Sequence, residues 1–220
     1  MRLERVIAIF GALASACVLI MLLMAFVFGV SQEFFEIVQP ASKFTELILA
    51  QASALRFVFT VDNFFVLFYS GFFLAFCALY RGKVDGFVLG VAFASFLLPS
   101  LLDVFENFHI LSMLRAAELG LPISDTAIQV QYIVSAMKFV ISYFAAMAFA
   151  WLYPRDTQLA RFVGVSTGII YPIVGVMAYT LPMPFALIFG AGRVAFFVFA
   201  FALSAVVYWN RRESAVAVSF

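Results

Sequence analysis

Six runs of this chain are apolar for about the length a helix needs to cross a bilayer, roughly 20 residues rising 1.5 Å each. They cover approximately 6–30, 57–80, 84–108, 129–153, 161–181 and 185–209. This settles the fold class before any motif is read. In hydrocarbon a backbone must satisfy its own hydrogen bonds, and segments this long do so as helices. The expected fold is all-α: a polytopic integral membrane protein, a bundle of six transmembrane helices forming one transmembrane domain over 1–220. Composition agrees. Hydrophobic residues make up 66% and charged residues 11%, whereas globular chains are about a quarter charged. The surface of such a bundle is covered by membrane lipids, and a net charge of +1 supplies no basic field for nucleic acid.

The start of the chain, "MRLERVIAIFGALASAC", has the basic opening and small residues of a secretory signal. The apolar run continues through "VLIMLLMAFVF", past signal length, so it reads as a retained helix. Basic residues then set the orientation. Arg2 and Arg5 precede the first span, Arg81 and Lys83 join the second to the third, Arg155 and Arg161 join the fourth to the fifth, and Arg211 and Arg212 follow the sixth. All fall on one side of a six-span chain, and the positive-inside rule makes that side the cytoplasm. Both termini are expected there, in a membrane of the bacterial inner (cytoplasmic) type.

The opposite side carries the longer connections. Residues 42–56 include Phe44, Leu47, Ile48 and Leu55 near one helical face. They read as an interfacial helix or an outward extension of the second span. Gly120–Pro122 stops the third span, and Ser124, Asp125 and Thr126 are N-cap candidates for the fourth. "LPMPF" joins the last two spans by a tight hairpin. Gly164 and Gly168 form a small-xxx-small surface for packing within or between chains, and Pro172 is expected to kink the fifth span. Cys17 and Cys77 sit in apolar runs and read as packed thiols.

Charges inside the spans carry the functional signal. "VDNFF" holds Asp62 and Asn63, and "SLLDVFENFHI" holds Asp103, Glu106 and Asn107. Counting helix rise from the basic loops puts Asp62 roughly 27 Å outward and Lys138 roughly 24 Å, with Asp103 and Arg193 at similar levels. Asp103, Glu106 and Asn107 share one helical face, and Asp62 shares one with Tyr69. Gln131, Ser135, Lys138 and Ser142 form a stripe on the fourth span. Intramembrane ionisable groups usually face the bundle interior and pair there. The candidate ligand or ion pocket is therefore Asp62, Asn63, Asp103, Glu106, Asn107, Lys138 and Arg193, with Tyr69, Gln131 and Ser135 as secondary lining. The plainer alternative is interhelical hydrogen-bond glue, worth about 0.6 to 2 kcal/mol per group. Arg193 could also sit near the headgroups, since "GAGR" can begin a helix.

Three roles fit these residues. Binding or transport of a small ligand, cation or proton is favoured, with the carboxylates as binding or relay groups. An intramembrane enzyme working on a lipid or isoprenoid-like substrate would use the carboxylates and Lys138 as acid and base, but no nucleophile motif accompanies them. An accessory subunit of a larger membrane complex, or of a homo-oligomer, would use the cluster as a lock. No metal is assigned. Mg²⁺ or Ca²⁺ at the carboxylates matches their oxygen preference, but the spacing is not a metal motif. With a single histidine, His109, a His-rich metal or bis-histidine haem site is excluded.

Overall fold

The computed structural model describes residues 2–182 and 184–217, and among these the side chains other than 186, 187 and 212–217. Met183, in the expected "LPMPF" hairpin, and the Arg212 side chain fall outside that set. All regular structure among the described residues is helical: α1 (Leu3–Phe28), a 3-10 turn (Gln32–Phe35), α2 (Ala41–Ala50), α3 (Ala52–Tyr80), α4 (Gly86–Glu118), α5 (Asp125–Leu152), α6 (Gln158–Val165), a π turn (Ser166–Ile170), α7 (Tyr171–Thr180) and α8 (Phe185–Ala217). Six helical segments are long and apolar enough to cross a membrane, the fifth being the continuous stretch Gln158–Thr180.

The six form a closed ring in chain order. α1 packs on α3, α3 on α4, α4 on α5, α5 on the π turn and α7, α7 on α8, and α8 returns to α1. Sequential neighbours need only short connections, and the chain marks their ends chemically. The Asp85 carboxylate accepts from the Phe87 and Val88 N–H groups to cap α4. Ser124, first of the three expected candidates, accepts from Ala127 to cap α5, and Thr157 accepts from Ala160 to cap α6. Gly120, at φ +70°, ends α4 where a left-handed residue costs glycine little.

The fifth segment widens rather than breaking at Pro172. The Tyr171 N–H reaches back to the Ser166 carbonyl, a π-type bond five residues long that accommodates the missing proline donor. The small residues expected to make a packing surface are used within the chain. A side chain at Gly168 would run into Ala150 of α5, and one at Gly164 would touch Tyr153.

Close approach also governs the seam between α1 and α8. A Cβ at Gly11 would lie 3.0 Å from the Phe201 carbonyl oxygen and 3.4 Å from the Phe72 ring. One turn on, the Ser15 hydroxyl donates to the Val198 carbonyl at 3.0 Å. Gly11→Leu is expected to force the helices apart and cost about 1–3 kcal/mol. Denaturant unfolding in mixed micelles reads this as a lowered midpoint, and an unchanged midpoint would contradict the packing.

Two expected boundaries change. The segment taken as one helix over 42–56 divides at Gln51, so α2 stands alone and α3 starts at Ala52. α4 runs to Glu118, ten residues past the expected end of the third span. The reason is a second apolar core at this end of the bundle. Phe35, Phe44, Ile48, Leu55, Phe59, Ile110 and Leu114 are all fully buried together there. Arg56 also spans from α3 to Glu118 of α4 at 2.6 Å. With partners to bury against, α3 and α4 outlast their purely apolar stretches. We call this the capped end.

Candidate functional site

The capped end carries a layer of charge centred on Lys138. Its ammonium lies 2.8 Å from Glu106, 3.0 Å from Asp103 and 3.8 Å from Glu36. Glu106 and Asp103 are within hydrogen-bond reach of the ammonium, and Glu36 is at ion-pair distance. Glu106 is completely buried and Lys138 nearly so, where a lone charge would be costly and a pair is favoured. Asp103 also accepts from the Tyr69 hydroxyl at 2.6 Å.

Around this centre the helices are stitched by neutral polar groups. The Asn107 amide donates to Asp62 at 2.5 Å and more loosely to Asn63 at 3.4 Å, tying α4 to α3. The Asn63 amide itself donates to the Phe59 carbonyl. His109 and Gln131 are hydrogen-bonded at 2.9 Å between α4 and α5, and Gln131 donates on to Ser135 at 3.4 Å. Asp62 has no cationic group within ion-pair distance among the described residues.

The connection between α1 and α2 supplies two carboxylates. Its 3-10 turn folds inward, burying Phe35 completely against Phe44, edge to face at 5.5 Å. Glu36 is thereby carried under the cap to Lys138. Burial alone would raise this carboxyl, but the Lys138 ammonium, then a hydrogen bond with Glu106, then Arg193 and the Gln32 amide, hold it below the usual carboxylate value. Glu33 receives the Arg193 guanidinium at 3.3 Å. Arg193 is buried within α8, and its guanidinium lies 3.5 Å from the Phe139 ring centroid, a favourable cation–π contact.

Beneath this layer the ring of helices encloses a chamber of about 430 Å³. Its polar wall at the capped end includes Asp62, Asp103, Lys138, Glu36 and Glu33. The remaining wall is mainly apolar, aromatic and aliphatic in similar measure, with Phe65, Phe72, Phe96, Phe149, Phe197 and Phe201 among its members. Away from the cap lie stacked rings, Phe73 on Phe96 at 4.1 Å, and the buried bond from the Tyr153 hydroxyl to Ser204 at 3.0 Å. Leu22 and Ala25 of α1 and Ala191 and Val194 of α8 line the chamber, and Phe34 and Ala191 are also exposed outside.

The residues singled out from sequence thus divide. Asp62, Asp103, Lys138 and Tyr69 border the chamber. Glu106, Asn107, Asn63 and Arg193 stand behind it, in contact with those groups or with the cap. Gln131 and Ser135 face His109 of α4 and are not among the chamber's walls. Sequence reasoning missed Glu33 and Glu36, whose only signal is the aromatic pair Phe34–Phe35 between them. It also missed Thr167, which the π turn directs into the chamber, where its buried hydroxyl has no hydrogen-bond partner. Among the described residues, no group of three or more His, Cys, Asp or Glu side chains is set to hold a metal ion; the space between the carboxylates is taken by the Lys138 ammonium. Compared with known proteins, the chain matches no family model, no curated protein and no solved structure.

Proposed function

We propose that this protein is a multi-pass membrane protein that binds and moves a small amphiphilic ligand, using the chamber as a one-ended site entered from the capped side. The observation that carries this reading is the polarity of the chamber itself: charged groups gather at one end of about 430 Å³ of otherwise mainly apolar space. Ligand pockets commonly measure about 300–1,000 Å³, mostly apolar with a few convergent polar groups. An ion pathway needs polar groups along its whole length, and here the rings of Phe73, Phe96 and Phe149 occupy the route away from the cap. By the positive-inside rule the cap faces outward, so entry is from the outer leaflet. Ala25 and Ala191, which line the chamber near the cap, lie on this entry side.

The charged layer also has a structural part in this reading. Glu106 lies outside the chamber and serves to hold Lys138. Titration calorimetry with octanol, on protein in lipid nanodiscs with empty nanodiscs subtracted, tests the chamber. Saturable binding is expected to the native chain and a loss of about tenfold or more in Ala200→Phe, which puts a ring into the space; each 1.4 kcal/mol of lost contact is tenfold. Octanol binding that is absent, or indifferent to Ala200→Phe, would refute the site.

A further inference from the structure

We infer that the ligand is a cation, an amphiphilic amine whose ammonium sits against Asp62 and Asp103 while its apolar part fills the apolar chamber. The inference rests on the chamber reading above and names the ligand class for it. Its first support is the balance of groups at the polar end. Asp103, Glu106 and Glu36 lie around one ammonium, that of Lys138; Asp62 borders the same end of the chamber without a cation; and Arg193 is engaged with Glu33 behind the wall. Lys138 is already paired with Glu106 and Asp103 at 2.8 and 3.0 Å, so an entering anion meets an excess of carboxylates there. An entering ammonium finds acceptors in surplus.

Asp62 is the particular one. It borders the chamber, is 3% exposed, and its carboxylate is met only by the Asn107 amide among the described hydrogen bonds. Buried carboxylates are usually paired with a cation or hydrogen-bonded on both oxygens. A ligand ammonium placed between Asp62 and Asp103 would supply what the protein does not. The rings of Phe65 and Tyr69, themselves 4.9 Å apart, line the chamber on the same face of α3 and offer the π surface that cations favour.

A second observation points to a ligand independently of the acids. The Thr167 hydroxyl is buried in the chamber wall without a partner. An unsatisfied buried hydroxyl is disfavoured, and π turns of the kind that exposes it recur at functional sites. It lies one helical turn from Tyr171, whose hydroxyl instead bonds Ser142 at 2.8 Å. A polar group along the ligand would meet it.

Titration of the protein in nanodiscs with octylamine, octanol and octanoate separates the claims. The three probes share a chain and differ in the head group. Octylamine is expected to bind at least about tenfold tighter than either of the others, the scale of one charge-assisted hydrogen bond. In Asp62→Asn, which keeps the shape of the side chain, the ratio of octylamine to octanol affinity is expected to collapse toward one. Octanol binding as well as octylamine in the native chain would overturn the cation assignment and leave the chamber standing. Octanoate binding best would do the same. If none of the three binds, the chamber reading falls and this inference with it. The comparison among probes on the native chain needs no variant to fold.

Discussion

Replacing Lys138 by methionine is expected to destabilise the protein by about 3–5 kcal/mol, the effect of removing one partner from a buried ion pair. Methionine keeps the length and much of the apolar stem, so the change isolates the charge. Glu106, completely buried, would lose the cation 2.8 Å away, and Asp103 the same cation at 3.0 Å. Two carboxylates one turn apart would then oppose each other. The measurement is the unfolding midpoint in mixed micelles. Adding Glu106→Gln is expected to recover part of the loss, because the orphaned carboxylate is gone, and a double-mutant cycle reads that coupling directly. A Lys138→Met variant as stable as the native chain would mean that the layer is not an ion-pair network.

Phe35→Ala is expected to cost about 3–5 kcal/mol, the usual range for deleting a fully buried phenylalanine. Here the loss falls on the cap. Phe35 is the side chain that anchors the inward fold of the connection, against Phe44 and the core shared by α2, α3 and α4. Without it, Glu36 has less reason to remain beside Lys138 and Glu33 beside Arg193. Hydrogen exchange of residues 30–39 is expected to accelerate well beyond that of α3 and α4, and equal acceleration throughout would contradict a separately held cap. Acid should loosen the same contact. The Glu36 carboxyl is held below its ordinary value when folded, so its contribution is present above the unfolded value and is lost as pH falls through the folded one. The cap therefore releases on acidification below the ordinary glutamate range, not on a rise in pH.

Much of this architecture is legible in local sequence. Span number follows from apolar length, and the facing of Asp103 and Glu106 follows from their spacing of three. The arrival of Lys138 at the same level follows from helix rise and alternating direction. What the sequence conceals is who stands opposite whom. The stripe of Gln131, Ser135, Lys138 and Ser142 is one face of α5, but its first half meets α4 and its second half meets the chamber. Periodicity assigns a face without assigning its neighbour. Glu33 and Glu36 carry no signal in the sequence beyond the aromatic pair between them, because the burial of Phe35 in a distant core is a tertiary event. The extension of α3 and α4 beyond their apolar stretches has a related reason. Leu55, Ile110 and Leu114 extend the helices by packing with α2, a stabilisation that no measure of lipid-crossing length contains. Thr167 is hidden in an apolar run and becomes a chamber residue only because the backbone widens before Pro172.

The central claim is that the chamber is reached from the capped side and from nowhere else. Site-directed thiol labelling tests it most directly. Cys17 and Cys77, both buried and free, are first replaced by serine, and single cysteines are then introduced as Ser142→Cys inside the chamber and Phe34→Cys on the cap. A small, membrane-impermeant, cationic methanethiosulfonate is applied to each face of oriented proteoliposomes in turn. Ser142→Cys is expected to react only from the face that labels Phe34→Cys, and to be protected by octylamine. Reaction from both faces would contradict a one-ended chamber and point to a path through the membrane, and reaction from neither would contradict entry from the cap.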